Sequence, residues 1–210
     1  MTPLVFEALA ETARQGERVS LGIITGVKGS SPQKIGAKAL FYPDGRIEGT
    51  LGGGCLEAEI QQRAIRSLQT GQPSTFDLLL DHDFGWDDGL ICGGKVFGVI
   101  LPNAQNAGEE FWDELAQRKS SMSWGVKKNF TITRNHSTIQ RLNVLTPQGW
   151  LYHETVSSPC ALWIADAGHI AQAVAPLAVQ LDFAVTVFDD RPALANHQLF
   201  PTEVSLGVGE

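Results

Sequence analysis

Residues Ala161 to Asp190 read ALWIADAGHIAQAVAPLAVQLDFAVTVFDD. A short apolar run, Ala161–Ala165, gives way at Gly168 to helical spacing that lasts to Leu181. A second apolar run, Ala184–Phe188, then ends at Asp189-Asp190. Strand, helix and strand within about thirty residues make a β-α-β unit, the connection two parallel strands require. The stretch is apolar enough to suggest a membrane span. Asp166, His169, Gln172, Pro176 and Asp182 interrupt it, however, and each is costly in lipid, so a soluble α/β protein without membrane insertion is expected.

The strand-to-helix turn Asp166-Ala-Gly-His-Ile-Ala171 stands where a dinucleotide-binding G-x-G-x-x-G would stand, with Asp189 about twenty residues on. The spacing fits, but the chemistry is altered. Asp166 replaces the first glycine, bringing a carboxylate to the place of a pyrophosphate, and Ala171 takes the third position. Gly168, His169 and Asp189 are the candidate nucleotide contacts, although Asp189 and Asp190 equally suit a helix cap or turn. Glu203–Val208 offers a third strand. The sequence then stops at Glu210, before the further strands and helices a nucleotide-binding sheet normally has.

Upstream the pattern changes. Leu4, Val5, Ala8, Leu9 and Thr12 recur at helical spacing, and Glu7 and Glu11 make this segment unlike a signal peptide. Val19–Val27 predicts a buried strand. Ala37–Tyr42 and Arg46–Leu51 predict a hairpin about Pro43-Asp44-Gly45. A helix is expected over Cys55–Leu68, with Leu56, Ile60, Ala64, Ile65 and Leu68 as its apolar stripe and Gly71 as its stop. Strands over Thr75–Leu80 and Lys95–Leu101 flank an acidic loop, Asp81–Asp88. A helix over Glu109–Arg118 follows, and a hairpin of Phe130–Thr133 with Ile139–Leu145 is expected to close the first domain.

Glycine is in surplus: 22 residues, where average usage gives roughly 15. Three adjoin in Gly52-Gly53-Gly54-Cys55-Leu56-Glu57, ahead of the expected helix. Glycines there let free backbone N–H groups approach an anion, and a cysteine at a helix start leans toward the thiolate, a nucleophile or metal ligand. The same residues also suit an ordinary turn with an inert cysteine. Cys92-Gly93-Gly94 repeats the pairing of cysteine with glycines, whereas Cys160 lacks it. The loop Lys28-Gly-Ser-Ser-Pro-Gln-Lys34, with Lys38 close behind, supplies hydroxyls, N–H groups and ammonium groups suited to a phosphate or carboxylate, or simply to solvent.

Composition excludes several classes. Sixteen Lys and Arg against 23 Asp and Glu give a net charge of −7, which argues against nucleic acid or a membrane surface as partner. Three cysteines make no closed disulfide framework, so a reducing, cytoplasmic compartment is expected. No C-x-x-C or paired-His spacing accompanies them, so no metal site is expected. The acidic loop carries Cys92 where a calcium loop needs its bidentate Glu.

Taken together, Gly29-Ser-Ser-Pro-Gln-Lys-Ile-Gly-Ala-Lys38, Asp44-Gly45, Gly49-Thr-Leu-Gly-Gly-Gly-Cys-Leu-Glu57 and Gly89-Leu-Ile-Cys-Gly-Gly94 resemble the XdhC/CoxI family, accessory proteins for maturation of xanthine dehydrogenase and related molybdenum hydroxylases. Asp166–Ala173 and Val185–Pro192 are similar to that family's C-terminal Rossmann domain. The resemblance implies an α/β fold, with a mixed-sheet cofactor-handling domain over 1–155 and an incomplete, shortened Rossmann-like β-α-β unit over 156–210. It implies a chaperone rather than a turnover enzyme, one that binds molybdenum cofactor (molybdopterin) and presents it for sulfuration and insertion. The partners implied are an apo molybdenum hydroxylase and a cysteine desulfurase, and exposed sheet edges in the short second unit add a homodimer. The cofactor-binding residues implied are Ser30, Ser31, Gly52, Gly53, Gly54, Cys55, Glu57, Cys92, Gly93 and Gly94; the reading of the loop adds Lys34, and that of the second unit adds Gly168, His169 and Asp189. Cys92 is the preferred sulfur ligand and Cys55 the second. Gln33 stands where the family usually has Arg, which removes a fixed charge. The alternative is an NAD(P)-dependent oxidoreductase using the β-α-β unit, against which Asp166 weighs; a thiol-redox pair of Cys55 and Cys92 is a third reading.

Overall fold

The computed structural model describes residues 2–80, 94–134 and 149–209. The acidic loop, Cys92, Gly93 and the expected strand Ile139–Leu145 lie outside the described residues. The chain divides into two compact units, Met1–Val156 and Ser157–Glu210.

The first unit opens with helix α1 (Thr2–Gln15), whose Val5, Phe6 and Leu9 are buried. Strands β1 (Ser20–Lys28), β2 (Lys38–Phe41) and β3 (Ile47–Gly49) follow, then helix α2 (Gly54–Thr70), β4 (Ser74–Leu79) and β5 (Lys95–Pro102). These five strands form one antiparallel sheet in the order β3-β2-β1-β5-β4. One face, with Ile24, Phe41, Val96 and Ile100, takes the α2 stripe Leu56, Ile60 and Ala64. That helix ends where the sequence predicts: Gly71 is left-handed at φ 70°, and its N–H reaches Ser67 O at 2.8 Å.

The other face meets α1, helix α3 (Glu109–Gln117) and a second sheet. That sheet consists of β6 (Met122–Lys127), β7 (Ile132–Arg134) and β8 (Trp150–Val156), in the order β7-β6-β8. The strand near Phe130–Thr133 pairs with β6, which sequence patterning passes over, while its expected hairpin partner Ile139–Leu145 lies outside the described residues. The alternation in β6 is broken by Gly125, and the break has a packing cause. A methyl group there would lie 2.3 Å from Tyr152 O and 2.9 Å from the Trp150 ring. Phe6, Trp112, Trp124 and Tyr152 meet edge-on or stacked between the layers.

The second unit contains β9 (Cys160–Ala165), α4 (His169–Gln180), β10 (Phe183–Asp189) and β11 (Ser205–Val208). All three strands are parallel, in the order β11-β10-β9. Ala171, Ala175 and Ala178 lay one face of α4 on Val185 and Val187. This is the partial Rossmann-like arrangement the sequence predicts. No helix among the described residues is long and apolar enough to cross a membrane.

Candidate functional site

Antiparallel topology brings the glycine-rich segments of the first unit to one end of the five-stranded sheet. Strand β1 ends there at Lys28, paired with Lys95 at the start of β5, and β2 begins there after the Ser30–Gly36 loop. Strand β3 leaves at the same end through Gly49, paired with Ala39. Gly94 is buried at the foot of β5, its carbonyl accepting Leu80 N–H at 2.7 Å. A methyl group on Gly94 would lie 1.8 Å from Ser30 O, so the serine loop and this glycine are in backbone contact. A methyl group on Gly52 would fall 2.7 Å from Pro32 Cγ. The Ser30–Lys34 loop therefore touches both the Gly52–Cys55 turn and Gly94. Cys92 and Gly93, which precede Gly94 in the chain, lie outside the described residues.

Gly52, Gly53 and Gly54 all have positive φ, at 118°, 71° and 58°. Three such residues in succession are open only to glycine at low cost. Gly53 is the N-cap of α2 and has no side-chain cap, and a methyl group on it would meet nothing within 4 Å. The start of α2 thus carries the positive end of a helix dipole beside open space, with Cys55 half-buried in its first turn.

Glu57 has a different role from the one the motif implies. Its carboxylate accepts Thr50 Oγ1–H at 2.9 Å and Leu51 N–H at 2.7 Å, while Thr50 Oγ1 accepts Gly52 N–H at 3.1 Å. It shapes the glycine turn from within, in the manner of a capping residue. Glu57→Ala is expected to cost about 1 kcal/mol in thermal unfolding, the usual loss on removing a cap.

Lys38, which the sequence leaves among the loop lysines, is an anchor. Its side chain is 2% exposed and pairs with Glu154 of β8 at 2.7 Å. It also donates to Gly36 O at 2.8 Å and Tyr152 Oη at 3.2 Å, while Trp124 Nε1–H donates to Glu154 at 2.7 Å. Burial pulls the ammonium below its ordinary value, and Glu154 opposes that pull. Burial, with Glu154 second, raises the Tyr152 phenol. No sequence signal joins Lys38 to partners more than a hundred residues away. Beside this cluster lies a cavity of about 280 Å³ lined by Gln33, Lys34, Gly36, Gly49, Thr50 and Glu154, among others. Lys34 is exposed at its rim.

In the second unit Gly168 and Asp189, two of the three candidate nucleotide contacts, are engaged by the chain itself. Asp166 keeps a glycine-like φ of 92°. Its carboxylate accepts Gly168 N–H at 3.3 Å and pairs with Arg191. The Asp189 side chain is 2% exposed; it accepts Ala167 N–H at 2.6 Å, Arg191 N–H at 2.8 Å and the Arg191 guanidinium. Its carboxylate therefore braces the turn and has little left for a ribose. His169 is exposed in the first turn of α4. Arg191 first, then the two backbone donors, holds the Asp189 carboxyl far below the usual carboxylate range. Stability from this group is full above the unfolded value near 3.9 and is lost as pH falls through the folded value. Asp189→Asn is expected to flatten the acid limb of unfolding below about pH 4, followed by circular dichroism.

Among the described residues no group of three or more His, Cys, Asp or Glu side chains could hold a metal ion. Residues 12–80 match the XdhC and CoxI family, and residues 162–206 match the XdhC Rossmann domain. A probable xanthine dehydrogenase subunit of Bacillus subtilis (strain 168) is 27% identical over 210 residues, taking in 88% of this chain and 63% of that protein. The uncharacterized protein YqeB of Escherichia coli (strain K12) is 28% identical over 92 residues, 44% of this chain and 17% of that one. A solved structure of a xanthine dehydrogenase from Bacillus halodurans superposes with a TM-score of 0.76 at 23% identity, covering 97% of this chain and 68% of that one. This last likeness is one of fold. The chain spans less than two thirds of the length of these curated relatives. With both domain matches in order along the sequence, and the serine loop and the glycine turn both inside the first, the chain belongs to the XdhC and CoxI family.

Proposed function

We propose that this protein is a cytoplasmic accessory factor that binds molybdenum cofactor and presents it for sulfuration and insertion into a xanthine dehydrogenase-type hydroxylase. The relative from Bacillus subtilis whose name carries xanthine dehydrogenase favours such a client. The observation that carries the reading is the convergence of the Ser30–Lys34 loop, Gly94 and the glycine-lined start of α2 at one sheet end. Molybdopterin brings a phosphate, which suits a glycine-lined helix N-terminus, and a molybdenum–sulfur centre, which suits soft thiolates. The donors proposed for that group are the backbone N–H at the glycine turn for the phosphate, Ser30, Ser31 and Lys34 around it, and Cys55 with Cys92 as thiolate donors. Glu57 and Lys38 hold the loops in place. A cysteine desulfurase would supply the sulfur, and self-association into a homodimer accompanies the role.

Titration of the purified chain with molybdopterin is expected to show saturable binding. Cys92→Ala should weaken it at least tenfold, about 1.4 kcal/mol, with Cys55→Ala following in smaller measure. NAD(P) is expected to give no tight binding, because Asp166 occupies the pyrophosphate position. Unchanged affinity in both cysteine variants would remove the thiolates from the site.

A further inference from the structure

The cavity of about 280 Å³ beside the serine loop has one acid among its described lining residues, Glu154. Glu154 and its partner Lys38 meet that cavity differently. The Lys38 side chain is 2% exposed, and its three N–H donors are taken by Gly36 O, Tyr152 Oη and Glu154. The Glu154 side chain is 15% exposed. Lys38 Nζ and Trp124 Nε1 both reach the same oxygen, Oε1, each at 2.7 Å. A carboxylate offers about four acceptor sites over its two oxygens. The other oxygen, Oε2, lies on the Gly36 side, 3.9 Å from where a methyl group on that residue would stand. The cavity therefore has an acceptor in its wall and no donor from Lys38. It also adjoins the glycine turn through Gln33 and Thr50, which line it. Thr50 Oγ1 accepts Gly52 N–H at 3.1 Å, and Gln33 Cγ lies 3.4 Å from where a methyl group on Gly52 would stand.

Charge and shape select the occupant. A cation would be set against Lys38 and, at the rim, Lys34; an anion would be set against Glu154. A neutral group with N–H donors meets neither penalty and gives Oε2 a partner. Gly36 and Gly49 line the cavity without side chains, and Val5 adds an apolar surface, so the walls suit a flat ring. The volume stands at the lower end of small-molecule pockets, about 300–1,000 Å³, a size for one small ring system rather than a whole dinucleotide. The geometry points to this cavity as the seat of the ligand's ring: a flat, neutral heterocycle whose N–H donors face Glu154, its phosphate lying at the adjoining glycine turn. For the cofactor proposed above, on which this inference rests, that ring is the pterin, with its amino group and neighbouring ring N–H as the donors. Glu154 is then a specificity-determining residue as well as the partner of Lys38.

Fluorescence titration of the full chain with free pterin, the ring without side chain, phosphate or metal, tests it. Wild type should bind pterin saturably, and at least about tenfold more tightly than lumazine, in which a carbonyl replaces the amino group. That carbonyl turns an acceptor toward the carboxylate and leaves Glu154 without its donor. Lys38→Met/Glu154→Ala removes the acceptor together with the buried charge it balances, so the fold should hold by far-UV circular dichroism. In that variant the preference for pterin should vanish. Should the variant unfold, the comparison of the two rings on wild type decides alone. Equal affinity of wild type for both rings, no binding of pterin, or a folded double variant that keeps the preference would overturn the assignment. Molybdopterin titration of the same samples separates the two readings. Wild type that binds molybdopterin without preferring pterin to lumazine refutes the ring seat alone, and wild type that prefers pterin but binds no molybdopterin refutes the cofactor role alone.

Discussion

Glu154→Ala is expected to destabilise the first unit by about 3–5 kcal/mol in urea titration, the usual loss when a buried pair is left with one partner. Lys38 is nearly inaccessible to water and sits among Phe6, Trp124 and Tyr152, with its nitrogen 5.3–5.8 Å from their ring centres. Without Glu154 it keeps only the Gly36 carbonyl and the Tyr152 hydroxyl. Burial already favours the neutral amine. In the variant the unfolded chain therefore binds more protons than the folded one, and stability should rise with pH. The loss should be greatest at low pH and shrink toward the ordinary lysine range. Lys38→Met in the same chain should restore more than half of it, because two apolar groups can replace a buried pair at little cost. A loss below about 1 kcal/mol, or no recovery in the double variant, would show that the pair does not anchor the two sheets. The consequence reaches the site, since Lys38 also holds Gly36 at the end of the serine loop.

Gly94→Ala is expected to weaken cofactor binding at least about tenfold while leaving most of the fold. The added carbon would lie 1.8 Å from Ser30 O, 2.8 Å from Ser30 C and 2.9 Å from Lys28 O, all backbone atoms. Strand β5 cannot recede, because it is paired with β1 on one side and β4 on the other. The serine loop must move instead. Overpacking of this kind costs about 1–3 kcal/mol, below the stability of about 5–15 kcal/mol usual for a folded domain, and the displaced loop should lose pterin binding by at least about tenfold. Gly53→Ala is the informative contrast: its methyl group meets nothing, so only its backbone conformation, φ 71° with ψ −171°, is penalised, by about 1–3 kcal/mol. Equal affinity in Gly94→Ala and wild type, with calorimetry as readout, would detach the serine loop from the site.

Much of this was legible in the sequence because it is local. The β-α-β unit follows from periodicity over thirty residues, and the hairpin β2–β3 from the turn residues Pro43-Asp44-Gly45. Even Asp166 in a glycine's conformation was readable as a substitution at a glycine position. Its pairing with Arg191 was not, since nothing in the spacing of the two shows it. The second sheet of the first unit was missed for a related reason. The alternation in β6 breaks at Gly125, and β8 carries His153 and Glu154 mid-strand, where Glu154 is tolerated only because Lys38 arrives from β2. The site itself was half legible. The glycine runs and cysteines announced a turn suited to an anion, but the contact of Gly94 with Ser30 arises only when antiparallel strands bring both to one sheet end. Glu57 illustrates the limit: a motif places it beside the site, while its hydrogen bonds make it part of the turn.

The central claim, that the converged loops hold molybdenum cofactor, is tested most directly by purifying the chain from cells able to make that cofactor and identifying what is bound. A pterin is expected in near-stoichiometric amount with wild type and little or none with Gly94→Ala. Wild-type protein that emerges free of pterin and binds none when molybdopterin is added, or Gly94→Ala that retains it in full, would contradict it.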